Sequence, residues 1–235
     1  MIQSYLLEVI VCSIGDAIAA ERGGADRLEV ISHYESGGLT PPIELVRRIA
    51  AAVSLPLRVM LRETEPFEVY DEREIETLCT AARAFAEAGV DGLVLGFLRG
   101  GWPKKSIDHE LVDRVLACAP NLKATFHRAF EELDDPLQAI AELKGHPQID
   151  RILTSGGSDV WQDKIERFAL WQRAAQPEIE ILVGGGTDAQ VIGLLKPSTG
   201  IREFHAGRAV REGKRVGGRV LVGRVRELAE LLRKV

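Results

Sequence analysis

The chain has 235 residues, of which 46% are hydrophobic and 28% charged, and its formal net charge is −5 at pH 7. This composition excludes a disordered chain and a collagen-like fibre, and it is typical of a soluble globular protein. The Lys and Arg side chains are interspersed with acids, which argues against a nucleic-acid surface because such surfaces need clustered cations.

The cysteines favour a reducing compartment. Cys12, Cys79 and Cys118 are far apart in the sequence and odd in number, which fits neither a disulfide framework nor a Cys-x-x-Cys site. The N-terminus lacks the basic and apolar regions of a secretory signal, and no apolar run approaches the roughly 18 residues of a membrane span. We therefore expect a cytoplasmic protein with no membrane contact.

Short β-branched runs alternate with longer helical patterns along the whole chain, which predicts repeated βα units around a parallel sheet. The predicted strands cover residues 6–11, 27–31, 57–62, 92–97, 123–128, 151–155, 179–184 and 201–206. The predicted helices cover residues 15–23, 42–53, 71–88, 108–118, 135–144, 158–175, 187–195 and 219–234. Eight units without a linker predict a single domain over residues 1–235 that closes into a (β/α)8 barrel, since a doubly wound open sheet normally stops at about five to seven strands.

Polar side chains stand where several predicted strands end. In a barrel, alternate strand residues point into the lumen, and an unpaired charge buried there costs several kcal/mol. This alternation predicts that Glu8, Glu29, Arg62, His127 and His205 converge on one mouth. We predict that they form a catalytic set for proton transfer or for holding an anion. The alternative for the glutamates and the arginine is an ion network that organises the barrel core.

Glycine-rich turns follow the sixth and seventh predicted strands. Gly184, Gly185 and Gly186 precede a predicted helix, so their N–H groups and the helix N-terminus could hold an anion. Barrel phosphate sites recur after the seventh and eighth strands, where Arg208 adds a cation, and Ser155 opens a similar turn after the sixth. We predict that these five residues bind an anion. The alternative is that the glycines serve only the backbone of tight turns.

Cys12 is the cysteine that the alternation places at the mouth. A soft thiolate near His127 and His205 would suit Cu(I) or Zn²⁺, so we predict these three residues as metal ligands. The alternative for Cys12 is a small buried apolar side chain. In the loop after the fourth strand, Trp102-Pro103 is a candidate patch for self-association.

Six segments carry a family resemblance. They are Leu-Leu-Glu-Val at 6–9, Gly-Gly-Ala-Asp-Arg-Leu-Glu at 23–29, Gly-Gly-Leu-Thr-Pro at 37–41, Thr-Phe-His-Arg-Ala-Phe at 125–130, Arg-Ile-Leu-Thr-Ser-Gly at 151–156 and Glu-Phe-His at 203–205. In this order they resemble the CutC family, the copper homeostasis family, over nearly the whole chain. The resemblance implies a cytoplasmic (β/α)8 barrel that forms a homodimer or higher homo-oligomer, with a part in copper tolerance or trafficking.

The chain also departs from the family pattern. Family members often carry cysteines proposed for Cu(I) near the ends of the first, second or eighth strands, where this chain has Ile10 or Val11, Ile31 and Ala206. After the third strand the chain keeps Arg62, but acids replace the glycine-rich, cationic segment of the family.

Two functions compete on these grounds. The resemblance predicts a cytosolic copper homeostasis protein that binds copper at the C-terminal mouth of the barrel. The residue chemistry predicts instead an enzyme that acts on a small phosphate- or carboxylate-bearing metabolite by acid/base chemistry. The function that the resemblance implies makes copper the expected cofactor, and we predict no nucleotide cofactor. A third possibility, a non-catalytic scaffold dimer, would require side chains to fill the mouth.

Overall fold

Eight parallel strands form a closed barrel in the computed structural model, which describes residues 5–101 and 104–234. The barrel strands are β1 (Leu6–Val11), β2 (Arg27–Val30), β3 (Leu57–Met60), β4 (Gly92–Leu95), β5 (Lys123–Phe126), β6 (Ile149–Thr154), β7 (Glu180–Val183) and β8 (Glu203–Ala206). Each strand pairs with its sequence neighbours, and β1 pairs with β8 to close the ring. The predicted (β/α)8 barrel is confirmed. The predicted patch at Trp102-Pro103 lies outside the described residues.

Eight α-helices follow the strands. They are α1 (Ile14–Gly23), α2 (Ile43–Ala52), α3 (Glu72–Glu87), α4 (His109–Ala117), α5 (Pro136–Leu143), α6 (Ile165–Ala175), α7 (Ala189–Leu195) and α8 (Val222–Arg233). Side-chain caps begin several of them, as where the Asp71 carboxylate accepts the Arg73 N–H at the start of α3. Among the described residues, none of these helices combines the length and apolarity that crossing a bilayer requires.

Apolar side chains pack in two separate clusters. The larger lies between the sheet and the helices, and it includes Leu7 and Val9 of β1 together with Leu78 and Phe85 of α3. The smaller consists of the lumen-facing side chains Ile10, Ile31, Met60 and Val94, with Cys12 and Tyr34 packed against it. The alternation along each strand therefore separates a helix-facing core from a small apolar layer inside the barrel.

Two strands end earlier, and one helix begins later, than the sequence predicts, and loop residues occupy the difference. The third and fifth strands end at Met60 and Phe126, so Arg62 and His127 lie on the loops above the barrel. The helix predicted from residue 158 begins at Ile165, because Gly156 and Gly157 adopt positive φ and a 3-10 turn over Trp161–Lys164 precedes the helix.

Two of the cysteines meet although they are distant in the sequence. Cys79 on α3 lies near Cys118 at the end of α4, and burial, followed by this neighbouring thiol, raises the pKa of Cys79 to about 11. All three cysteines are free thiols.

The charges buried in the N-terminal half of the barrel belong to one ion network. In order of contact its members are Asp91, Arg58, Asp150, Arg151, Glu203, Arg27 and Glu8. At its centre Glu203 accepts bonds from Arg27 at 2.9 Å and from Arg151 at 2.7 and 2.9 Å. Arg27 also pairs with Glu8. The network joins five of the eight strands, and its members Glu8, Arg27, Arg58 and Glu203 are buried.

Candidate functional site

A cavity of about 770 Å³ opens at the C-terminal ends of the strands. The buried titratable side chains that line it are Glu29, His127 and His205, which are 2%, 3% and 5% exposed. Apolar side chains from the lumen, including Ile10 and Met60, lie beside them. The cavity therefore has titratable groups at its base and apolar walls around them.

His205 lies between two carboxylates. Its Nδ1 is 2.7 Å from Glu8 Oε1 and its Nε2 is 3.6 Å from Glu29 Oε2. Burial disfavours the charged imidazole, but the two glutamates outweigh burial and raise the pKa of His205. The two carboxylates therefore favour the imidazolium form of His205, and each faces one of its ring nitrogens.

Glu29 keeps one carboxylate oxygen free. Oε1 is buried and has no hydrogen-bond partner among the residues that the structure describes, whereas Oε2 faces His205. Burial, reinforced by the negative charge of Glu8, raises the pKa of Glu29 to about 7 although His205 opposes the shift. Glu29 can therefore accept and return a proton near neutral pH.

His127 is neutral and has a defined tautomer. It precedes a 3-10 turn at Arg128–Glu132, and its Nδ1 accepts the Ala129 N–H at 3.2 Å, so the ring hydrogen lies on Nε2. Burial, followed by the positive charge of Arg62, lowers the pKa of His127 to about 3. In the described part of the chain, Nε2 is buried without a hydrogen-bond partner. His127 thus offers an unused neutral N–H donor.

Four of the five predicted catalytic residues line the cavity, and Glu8 does not. Glu8 lies beneath His205, and its carboxylate is engaged by that ring and by Arg27. The ion-network interpretation therefore applies to Glu8. Arg62 lines the cavity, but its guanidinium donates to the carbonyls of Thr64, at 2.9 Å, and Glu65.

The predicted anion site is brought together only in part. Gly185, Gly186 and Arg208 line the cavity, whereas Gly184 packs against Leu153 and His205 outside the lining. The Ser155 N–H donates to Glu131 Oε1 at 2.5 Å, so a carboxylate of the chain already holds the place predicted for the anion.

The helix N-terminus predicted for the anion is also engaged. α7 begins at Ala189, and the Asp188 carboxylate accepts the N–H groups of Gln190 at 3.0 Å and Val191 at 3.1 Å. The remaining anion-binding candidates are the Gly185 and Gly186 backbone and the exposed Arg208 side chain.

The three predicted copper ligands do not converge. Burial raises the pKa of Cys12 to about 11, so its sulfur is a neutral thiol, and Sγ lies 3.7 Å from Arg211 Nη2 outside the cavity lining. His205 directs both nitrogens at glutamates. Within residues 5–101 and 104–234, no group of three or more His, Cys, Asp or Glu side chains could hold a metal ion. These residues do not fit a thiolate–imidazole copper site.

Several residues that shape the site were missed from the sequence. Arg27 stands two residues before Glu29 on the same face of β2, so the strand alternation could have identified it. Tyr34 and Glu131 reach the cavity from 3-10 turns, where no strand or helix periodicity applies. Their positions depend on loop conformations that the sequence pattern does not reveal.

Comparison with known proteins establishes the family. A model of the CutC family matches residues 5–210. The chain belongs to the CutC family. A human relative named copper homeostasis protein cutC homolog is 34% identical over 209 residues, which cover 88% of this chain and 75% of the relative. A family protein CutC of Xylella fastidiosa is 32% identical over 212 residues, which cover 90% and 78% of the two chains.

Solved structures agree with this membership and with the fold. The crystal structure of a CutC protein from Streptococcus agalactiae has a TM-score of 0.77 and 25% identity, and the match covers 90% of this chain and 99% of that one. Phosphoribosylanthranilate isomerase from Thermotoga maritima matches at a TM-score of 0.61 and 10% identity over 98% and 100% of the two chains. The second similarity shows the barrel fold alone.

Proposed function

We propose that this CutC-family chain is an enzyme that binds a small anionic metabolite in the barrel mouth and acts on it by acid/base chemistry. The observation that carries the proposal is the pair of unpartnered buried atoms at the cavity, Glu29 Oε1 and His127 Nε2. An unsatisfied buried polar atom costs about 1–3 kcal/mol, and each such atom in a folded protein calls for an explanation. A bound substrate would provide the missing partners.

The rim of the cavity supports an anionic ligand. Arg208 is exposed and has no ion-pair partner in the part of the chain that the structure describes, and Lys214 lines the same cavity. Gly185 and Gly186 adopt positive φ on the lining, which leaves their backbone open to a ligand. A phosphate or carboxylate held here would leave the rest of the molecule to extend toward Glu29.

Copper handling is the second candidate, and the names of the relatives favour it. We rank copper handling below the enzymatic function because Cys12, His127 and His205 do not fit a shared copper ion. We also propose a cytoplasmic location, which the free cysteines favour, and assembly into a homodimer or higher homo-oligomer.

Calorimetric titration of the full chain with inorganic phosphate and with 2-phosphoglycolate tests the ligand class. We expect binding of at least one of them, weakened about tenfold or more by Arg208→Ala, because a charge-assisted bond contributes roughly 1.5–3 kcal/mol. Arg215→Ala is the matched control, since Arg215 is exposed on the same segment but does not line the cavity. This control should bind like the wild type.

Two results would decide against the proposal. Absence of binding by both anions, or binding that Arg208→Ala leaves intact, removes the anion site. Tight Cu(I) binding in a chelator competition, lost on Cys12→Ser, would establish the copper function in its place.

A further inference from the structure

We infer that the reaction is proton transfer at a carbon atom next to a carbonyl group, and that the substrate is a small hydroxy- or keto-carbonyl compound bearing a phosphate or carboxylate. The inference rests on the proposed function and names its chemistry. It follows from a carboxylate with a free oxygen, a neutral imidazole N–H and a rim that carries Arg208 and Lys214 on one cavity.

Glu29 is placed to be the base. Its Oε1 is buried at the cavity without a partner among the described residues, so no bond within that part of the chain must break before it accepts a proton. Burial and the charge of Glu8 raise the pKa of Glu29 to about 7, which makes it a stronger base than an ordinary carboxylate while leaving it substantially ionised at neutral pH.

His127 is suited to polarise the carbonyl group and not to donate its proton completely. The Ala129 N–H on Nδ1 fixes the ring hydrogen on Nε2, and the low pKa of about 3 keeps the ring neutral. A neutral N–H donor stabilises the negative oxygen that develops when a proton leaves the adjacent carbon. The Phe67 ring packs beside the imidazole, with the two ring centroids 5.0 Å apart.

His205, Glu8 and Arg27 act as positioning residues. The His205 imidazolium lies 3.6 Å from Glu29 Oε2, which leaves Oε1 as the oxygen directed away from that contact. Glu8 fixes the ring through Nδ1 at 2.7 Å, and Arg27 fixes Glu8. The base is thereby held at one oxygen by a buried ion network.

The step balances without an external oxidant or reductant. The C–H bond breaks, its proton passes to Glu29 Oε1, and its electron pair forms a carbon–carbon double bond. The electron pair of the carbonyl double bond moves to oxygen, which accepts the hydrogen bond from His127 Nε2. Return of the proton to the same carbon restores the substrate, and return to the neighbouring carbon, with a shift of the hydroxyl proton, gives an isomer.

The cavity has the composition that this step needs. Ile10, Met60 and Leu153 line the cavity together with the polar groups and give it apolar walls. The volume of about 770 Å³ lies within the usual range for small-molecule sites. A phosphate near Arg208 and Gly186 would anchor one end of the substrate and leave the carbonyl end for Glu29 and His127.

Deuterium exchange tests the inference without knowledge of the natural product. Dihydroxyacetone phosphate, glycolaldehyde phosphate and pyruvate are incubated with the full chain in D2O, and loss of the proton next to the carbonyl is followed by NMR. We expect enzyme-dependent exchange with at least one probe, reduced roughly 10²–10⁴-fold by Glu29→Gln. His127→Gln, which keeps an N–H donor, should retain more exchange than His127→Phe, and Arg215→Ala should match the wild type.

The outcomes separate this inference from the proposed function. Arg208-dependent anion binding without exchange of any probe would overturn the carbon-acid chemistry and leave the proposed ligand class standing. Exchange that survives Glu29→Gln would overturn the assignment of the base. Loss of both binding and exchange would remove the two proposals together.

Discussion

Two glutamates that contact one histidine have opposite protonation behaviour. Burial disfavours the charged form of both, but bonds from Arg27 and His205 lower the pKa of Glu8. Glu29 has no bonded guanidinium, and its pKa rises to about 7. The number of cationic bonds thus makes Glu8 a permanent anion and Glu29 a group that titrates near neutral pH.

The titration of Glu29 predicts a stability effect. A carboxyl whose pKa is about 7 when folded and 4.5 when unfolded favours folding below pH 4.5, and this contribution is lost as the pH rises through 7. Glu29→Gln removes the cost of the buried charge. We expect the variant to gain about 2–3 kcal/mol of unfolding free energy relative to wild type between pH 5 and pH 8, measured by urea denaturation. A stability difference that is constant over this range would contradict the prediction.

At the scale of elements, the turns that leave the strands decide where the site residues point. His127 is oriented by the 3-10 turn at Arg128–Glu132, and it lies against Gly96, just beyond the end of β4. A Cβ atom at Gly96 would stand 2.5 Å from His127 Nδ1 and 3.1 Å from the Ala129 Cβ. A glycine at this position is therefore required for the imidazole to keep its hydrogen bond to Ala129.

Gly96→Ala should displace the His127 ring and destabilise the fold by about 1–3 kcal/mol, the usual cost of overpacking. Chemical denaturation gives the stability, and the ring NMR signals of His127 report its displacement. Gly193→Ala is the matched control, because Gly193 lies within α7 with nothing near its added Cβ, so the change should be neutral or stabilising by up to about 1 kcal/mol. Equal stability of the two variants would show that Gly96 does not confine the ring.

At the scale of the whole molecule, one ion network ties the barrel together and supports the site. Arg27 on β2 bridges Glu8 on β1 and Glu203 on β8, so it connects three strands across the closure of the ring. Because Glu8 also bonds His205, the same network connects the barrel interior to the cavity.

Arg27→Ala should cost about 3–5 kcal/mol at pH 7, since it leaves buried carboxylates without their cation. The cost should decrease as the pH falls, because Glu8 in the variant has lost the guanidinium that lowers its pKa, so burial favours its protonation and removes the unpaired charge. Urea denaturation at pH 7 and pH 4.5 measures both effects. Arg233→Ala is the control: Arg233 forms an exposed pair with Asp26 at 3.0 Å, and its loss should cost at most about 1 kcal/mol. A cost for Arg27→Ala that did not exceed the control would refute the role of the network.

The periodicity of the sequence was sufficient to predict the barrel. Eight strand and helix patterns in alternation allow few other closed arrangements, and strand alternation placed Glu29 and His205 in the lumen. The same alternation placed Glu8 in the lumen correctly, but it could not show that Arg27 and His205 would engage its charge. Alternation gives the direction of a side chain and carries no information on its partners.

The partners of the site residues were decided by contacts between segments that are distant in the sequence. Glu131 takes the Ser155 N–H and Asp188 caps α7, so carboxylates of the chain occupy positions that the sequence offered to an external anion. Cys12 lies beside Arg211 and not with the histidines. Hydrophobic periodicity is a local property that fixes the fold class, whereas pairing and protonation depend on three-dimensional neighbours, and these exist only once the barrel has closed.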